Sequence, residues 1–155
     1  KTFFDIFIQK VKDFDFIEEG DTAGLVCFQN ETSNYRLQAL KKGKVIALQL
    51  VRSFGESEEI LKEDVLCGSN QHYKGVFRVV AEKQKLYFEY GQDERKLTLF
   101  CDDVDASILS VERAGGFVGT VIGMFAVCGN EASKGKFYAD FDWFRYENTA
   151  RLWVN

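Results

Sequence analysis

Apolar and polar residues alternate along most of this chain, and short turn-forming segments separate the alternating runs. A period of two is typical of strands that bury one face, and the absence of proline leaves the hydrogen bonding of a sheet uninterrupted. The sequence therefore predicts an all-β fold, a two-sheet antiparallel β-sandwich. The predicted strands are residues 3–9, 22–30, 34–41, 44–52, 75–82, 85–91, 96–101, 117–128 and 136–147.

Three turn segments predict which strands are neighbours: KKGK at 41–44, AEKQK at 81–85 and GQDER at 91–95. Each lies between two alternating runs and indicates a hairpin. Residues 53–64 (SFGESEEILKED) are the one stretch with plausible helical spacing. Their polar and acidic composition fits a mobile loop equally well, and a charge run of this kind is usually a solvated surface.

Length and charge limit the classes of protein and partner. The chain has 155 residues, which is the size of one ordinary domain, so we expect a single domain over residues 1–155. The net charge is −4 and the basic residues are scattered, so we expect no nucleic acid partner. The longest apolar stretches, such as VIGMFAVC at 121–128, are shorter than the roughly 20 residues of a membrane helix. We expect no membrane partner.

The first residues suggest that the sequence is a piece of a longer protein. Lys1 stands inside an alternating pattern (TFFDIFIQK) and no methionine precedes it. The compartment therefore cannot be read from this terminus, and both a cytoplasmic and a periplasmic or secreted protein stay open.

Candidate catalytic and metal-binding residues are few. His72 is the sole histidine, and its setting, GSNQHYKG, fits a solvated loop residue better than a catalytic base. The four cysteines lie far apart without a CxxC pair, and we interpret them as buried free thiols in preference to zinc ligands. They are Cys27, Cys67, Cys101 and Cys128.

The segment YADFDWFRY at 138–146 holds two acids two positions apart. On one strand, Asp140 and Asp142 would share a face with Cα atoms about 6.6 Å apart. Ala139, Phe141 and Trp143 would then pack between the sheets. Three roles stay open for the two carboxylates: pairing with backbone or basic groups, calcium ligation and catalysis. Neighbours on one strand rarely enclose a sugar, so catalysis is the weakest of these.

The segment GGF at 115–117 precedes the eighth predicted strand. Two glycines free the backbone there, and the next side chain is a large apolar ring. Phe117 is either the buried start of the strand or a ring that a loop presents to a ligand or partner.

Two longer segments resemble a known family: GDTAGLVCFQNETSNYRL (20–37) and SILSVERAGGFVGTVIGMFAVCGNEASKGKFYADFDWFRYE (107–147). In combination they are similar to the C-terminal domain of glycoside hydrolase family 43 β-xylosidases. The resemblance implies a concanavalin-A-like jelly roll that stands behind a five-bladed catalytic propeller. That propeller would hold the catalytic carboxylates of an inverting exo-glycosidase acting on terminal xylose or arabinose units. No catalytic residue is then expected in this chain.

The resemblance also implies site residues. Phe117 matches the ring with which a loop of the sandwich closes one side of the active-site pocket, and Gly116 would allow the close approach of that loop. Asp142 matches a residue of the closing strand that can ligate a structural calcium in this family. The family's opening strands, on the N-terminal side of its domain, have no counterpart here, which weakens the calcium expectation. Their absence also predicts association into a homo-oligomer.

The leading functional hypothesis is an accessory sandwich that completes the pocket and stabilises the catalytic propeller in the breakdown of xylan-derived sugars. No cofactor is required for that role. One alternative is a free-standing carbohydrate-binding module or lectin, in which Tyr73, Tyr138 or Trp153 stack on sugars. A second alternative is a structural domain that mediates oligomerisation.

Overall fold

Two five-stranded sheets form the described part of the chain. The computed structural model describes residues 2–8, 19–68, 73–110, 120–129, 131, 134, 139–141 and 143–148, with the backbone alone for 2–8, 143, 147 and 148. The elements are β1 Thr2–Ile8, β2 Thr22–Asn30, β3 Ser33–Lys42, β4 Val45–Phe54, β5 Ser57–Gly68, β6 Gly75–Glu82, β7 Lys85–Gly91, β8 Thr98–Asp105, a 3₁₀ helix Ala106–Leu109, β9 Val121–Val127 and β10 Trp143–Asn148.

The first sheet has the order β10-β1-β6-β7-β8 and the second has the order β5-β4-β3-β2-β9. Every described strand pair is antiparallel, which confirms the predicted all-β sandwich. The hairpins predicted at 41–44, 81–85 and 91–95 join β3 to β4, β6 to β7 and β7 to β8. Within the described ranges, no helix has the length and apolar character that a membrane span requires.

The core lies between the sheets, where the inward side chains of each strand meet. Tyr35 and Leu37 of β3 pack in one cluster with Phe77 of β6 and Phe88 of β7, and all four are fully buried. Alternation along the sequence placed these residues on one face, so the pattern that predicted the strands also identified the core.

The interpretation of residues 53–64 as helix-like or mobile is wrong. Gly55 takes a positive φ of 64° in a tight turn, and β5 then pairs with β4 from Ser57 to Gly68. Two register irregularities leave Leu61 and Leu66 as extra residues, and both pack against the core. These bulges break the period of two, and an edge strand can carry polar side chains on both faces. The alternation that reveals the other strands is therefore absent.

The last two predicted strands are shorter than expected. The run 117–128 contains β9 from Val121 to Val127, and the run 136–147 contains β10 from Trp143 onward. Ala139 and Phe141 pack against the core as predicted, but they lie before the strand, and Asp140 there is exposed. The premise that Asp140 is a strand residue is therefore wrong.

A row of side-chain hydrogen bonds crosses the outer face of the second sheet. Gln38 Nε2 donates to Gln49 Oε1 over 3.1 Å, and Gln49 Nε2 donates to Glu63 Oε1 over 2.6 Å. Lys42 Nζ donates to Glu63 Oε2 over 2.8 Å. The two glutamines are buried, so these bonds satisfy amide groups that have little access to water. They also join the polar edge strand β5 to β4 and β3.

Glu63→Gln tests this row through its pH dependence. Hydrogen bonds from Lys42 and then from Gln49 lower the pKa of Glu63. Because the folded pKa lies below the unfolded value of about 4.3, the stabilisation is present above that pH and is lost as the pH falls through the folded pKa. With the side chain 34% exposed, we expect a loss of only about 0.5 kcal/mol in the free energy of unfolding at pH 7.

Urea unfolding at pH 7 and pH 3 measures this difference. The deficit of the variant should be smaller at pH 3 than at pH 7, because the carboxylate becomes protonated as the pH falls through its folded pKa. Glu56→Gln, in an exposed turn of the same hairpin, is the matched control and should change little at either pH. An equal deficit of Glu63→Gln at both pH values would show that the ion pair is not its source.

Candidate functional site

One end of the sandwich collects several turns, and we call it the loop end. It holds residues 31–32 between β2 and β3, residues 55–56 between β4 and β5, residues 83–84 between β6 and β7, and the 3₁₀ helix. A backbone hydrogen bond from Gly55 N to Thr32 O, 2.8 Å long, connects two of the turns. Ala106 N donates to Gln84 O over 2.9 Å and connects the 3₁₀ helix to a third.

Residues 111–119 run between the 3₁₀ helix and β9. They contain Gly116 and Phe117, the predicted pocket residues, which lie outside the described residues. Both flanks of the segment are described. Thr120 Oγ1 donates to Leu109 O over 2.8 Å, so one hydrogen bond joins the residues on the two sides of this loop. The two described flanks of residues 111–119 are therefore hydrogen-bonded to each other, and we call this contact between Leu109 and Thr120 the closed base.

The 3₁₀ helix fixes the first side of that base. Asp105 caps it, because Oδ1 accepts from Ser107 N and Oδ2 accepts from Ser107 Oγ, both over 2.9 Å. Ile108 and Leu109 are buried in the core. Ser110 N donates to Ser107 O over 3.0 Å and ends the helix. A short segment with buried apolar side chains and capped ends cannot shift without exposing them.

Tyr35 connects this helix to the opposite sheet. Its ring is fully buried with the centroid 6.2 Å from that of Phe88, and its hydroxyl donates to Asp105 O over 2.6 Å. A buried hydroxyl needs such a partner, and the carbonyl that it finds belongs to the residue that caps the helix.

The second side of the base is formed by the end of β2 and the start of β9. Gln29 is buried, and its Oε1 lies 3.3 Å from Thr120 Oγ1. Beside it, Phe28 and Val121 are register partners on the outer face of the sheet, 37% and 54% exposed. An exposed apolar pair thus stands directly next to Thr120, where the described residues resume after 111–119.

Asp142, the predicted calcium ligand, lies outside the described residues. In the part of the chain that is described, no group of three or more possible metal ligands converges. Asp21 is buried near the end of β9, where its Oδ1 accepts from Gly129 N over 3.1 Å. The described residues do not assemble a ligand set for calcium, and a calcium at Asp142 stays a prediction.

The cysteines are free thiols, as predicted. Burial raises the pKa of Cys27, Cys67 and Cys101, so these thiols are poor thiolate nucleophiles. Cys128 is exposed and Cys67 and Cys101 are half-buried, so the expectation of buried thiols holds fully for Cys27 and is wrong for Cys128.

The aromatic residues proposed for a lectin-like surface do not form one in the described region. Tyr73 is only 6% exposed, its ring lies 6.1 Å from that of Phe77, and burial raises its pKa. The expectation that it is an exposed stacking residue is wrong. His72, Tyr138 and Trp153 lie outside the described residues.

A comparison with protein-family models matches residues 9–147 to the family described as "Beta xylosidase C-terminal Concanavalin A-like domain". The chain belongs to this family. The resemblance seen in the two sequence segments is thereby confirmed, and so is the concanavalin-A-like class of the sandwich.

Solved structures of glycoside hydrolase family 43 (GH43) proteins share the fold. A GH43_12 protein retrieved from a capybara gut metagenome is 27% identical, with a TM-score of 0.62 over 71% of this chain and 21% of that one. A GH43 protein from Bacillus licheniformis is 23% identical, with a TM-score of 0.71 over 94% and 26%. The xylan β-1,4-xylosidase from Bacillus halodurans C-125 is 19% identical, with a TM-score of 0.71 over 95% and 27%. The domain thus spans about a quarter of these proteins.

The residues that build the loop base were not predicted from the sequence. Asp105 followed by Ser107 is a capping pattern that a search for helix starts could have found. Tyr35 and Asp105 are 70 positions apart, and Thr120 and Leu109 flank the loop without any local motif. Only the packing of the two sheets brings these groups together.

Thr120→Val tests whether the base fixes the loop. The substitution keeps the side-chain shape and removes the hydroxyl that binds Leu109 O. We expect the free energy of unfolding to fall by about 0.5 kcal/mol, because Thr120 is exposed. Amide hydrogen exchange over residues 111–119 should become faster, since the closing bond is lost.

Thr120→Ser is the matched control, because it retains the hydroxyl. Its exchange over 111–119 should stay close to that of the wild type. Unchanged exchange in Thr120→Val would mean that the hydrogen bond does not restrain the loop.

Proposed function

We propose that the domain is the accessory β-sandwich of a family 43 glycoside hydrolase with β-xylosidase or α-L-arabinofuranosidase activity. In this proposal it completes the active-site pocket of a preceding catalytic propeller and stabilises that propeller. The closed base of residues 111–119 carries the proposal, because a loop that must position one ring at a pocket requires a rigid attachment.

The direction in which β1 runs supports this arrangement. Thr2 pairs with Ala81 and with Asn148, which places the start of β1 at the loop end. A catalytic domain that precedes this domain would therefore join it at the end that carries the 111–119 loop. The exposed pair Phe28 and Val121 offers apolar surface for contact beside the loop.

Within the proposal, Phe117 forms the apolar wall of a pocket for one terminal sugar. An aromatic ring packs against the C–H face of a pyranose and excludes water from the reacting centre. Gly116 lacks a side chain, so the loop backbone can approach the catalytic domain closely. The acid and base carboxylates belong to the catalytic domain, and this chain contributes shape and exclusion of water.

The choice of substrate is supported by the relatives. One structural neighbour is a xylan β-1,4-xylosidase and the matched family carries β-xylosidase in its description. Terminal xylose or arabinose units are therefore the proposed substrates.

We also propose that the domain self-associates through the long edge that β9 and β10 form. Among the described strands, β9 and β10 are the last of their sheets on this side, and Met124, Phe144 and Tyr146 on them are exposed. Edge strands with exposed apolar side chains favour contact with another chain. Light scattering should give a mass above that of a monomer, and a strictly monomeric mass at micromolar concentration would contradict this.

Phe117→Ala in the full-length enzyme tests the pocket. We expect kcat/KM on aryl β-xylosides to fall about tenfold or more, because water enters the pocket and the sugar loses its apolar wall. Phe117→Leu should restore part of the activity. Val65→Ala, at an exposed apolar residue on β5, is the control and should stay near the wild type.

A complementary experiment uses the separately made propeller. Addition of this chain should raise its activity on the same substrates. An absence of gain, together with full activity of Phe117→Ala, would overturn the proposed function.

A further inference from the structure

We propose that a groove between β5 and β8 is a second glycan site, which binds the chain of a neutral polysaccharide outside the terminal-sugar pocket. The choice of xylan as the probe rests on the proposed function, whereas the groove itself is argued from its own residues.

The groove lies between β5, the last strand at one side of the second sheet, and β8, the last strand at the same side of the first sheet. Its lower part has a volume of about 610 Å³ and lies between Leu61 and Lys62 of β5 and residues 99–105 of β8. Its upper part, of about 430 Å³, continues to Phe54, Ser57 and the 3₁₀ helix. Both parts share Arg52 and Asp105 in their walls, so they adjoin. Each volume falls in the range of about 300–1,000 Å³ that is typical of ligand sites.

Each part presents an apolar surface to solvent. Phe54 in the upper part is 37% exposed, and Leu99 in the lower part is 49% exposed. Apolar groups at intervals along a groove suit the C–H faces of successive sugar rings. From Ser57 to Lys62, β5 extends roughly 17 Å, which accommodates several rings in a row.

The polar groups of the groove are held in place before any ligand arrives. Arg52 forms an ion pair with Glu59, and both side chains stay partly exposed. Lys62 Nζ donates to Phe100 O over 2.9 Å and lies 5.0 Å from the centre of the Phe100 ring. Fixed donors and acceptors beside apolar surface can bind sugar hydroxyls with little loss of side-chain entropy.

The charges of the groove select among ligand classes. Glu59, Asp102, Asp103 and Asp105 outnumber Arg52 and Lys62 in its walls. An excess of carboxylates repels phosphates and other polyanions, whereas a neutral glycan meets no such repulsion. The charge balance therefore favours an uncharged polysaccharide over a nucleic acid or an acidic glycan.

The position of the groove is compatible with the proposed docking of a catalytic domain. β5 and β9 are opposite edges of the second sheet, so the groove and the Phe28–Val121 pair lie on different sides of the loop end. The upper part of the groove reaches Ile108, one turn before the 111–119 loop begins. A bound chain would thus be kept near the pocket and raise the local concentration of its ends.

Affinity electrophoresis of the full-length protein in gels with and without soluble xylan tests the groove. Wild type should be retarded by xylan and not by polygalacturonate, which is a polyanion, and retardation should persist in excess xylose, which occupies the terminal-sugar pocket. Phe54→Ala should weaken the apparent affinity for xylan about fivefold. Ser57→Arg should abolish retardation, because the long side chain fills the upper groove from an exposed position.

Val65→Ala is the matched control, since Val65 is an exposed apolar residue on β5 that does not line the groove. It should leave the retardation by xylan unchanged. A thermal melt of each variant verifies that it is folded. Equal retardation of Phe54→Ala, Ser57→Arg and wild type would overturn the glycan site, as would loss of all retardation in xylose. Neither result bears on the role of Phe117, which the activity assay on aryl xylosides tests separately.

Discussion

The hydrogen bond from Tyr35 to Asp105 joins the two sheets where the loop end is built. Tyr35 belongs to β3 of one sheet, and Asp105 ends β8 of the other and caps the 3₁₀ helix. Because the tyrosine ring is fully buried, its hydroxyl has no access to water and must find a protein acceptor. Asp105 caps the 3₁₀ helix and lines both parts of the β5–β8 groove, so this contact lies where the helix and the groove meet.

The two long edges of the sandwich carry the two proposed contacts, a glycan at one edge and a second chain at the other. At one edge, β5 is held by glutamines, a lysine and paired charges, and two bulges turn extra leucines into the core. That edge is grooved, and beside its charged side chains it exposes the apolar residues Phe54, Ile60, Val65 and Leu99. At the other edge, β9 and β10 expose Met124, Phe144 and Tyr146. Exposed apolar strands favour contact with protein, whereas a polar groove with a few apolar surfaces favours a small or extended hydrophilic ligand.

The strands could be predicted from the sequence wherever apolar and polar residues alternate without interruption. Alternation predicted the strands that became β2, β3, β4, β6 and β7, because each packs one face against the opposite sheet. It failed at β5, where two bulges change which face the next residue takes, and at Asp140, where the backbone leaves the strand pattern before β10 begins. Tyr73 was misjudged for a related reason: a tyrosine in a polar segment can still have its ring buried beside Phe77.

By itself, the sequence determined the fold class, the hairpin positions and the family, because each depends on local pattern or on short motifs such as those at 20–37 and 107–147. Only the tertiary structure decided which groups join the two flanks of residues 111–119, since Thr120, Leu109, Gln29 and Tyr35 come from four separate segments. It also decided that edge strands of different sheets enclose a groove. Such arrangements depend on how two sheets pack across a core, and no neighbouring residue in the sequence encodes that contact.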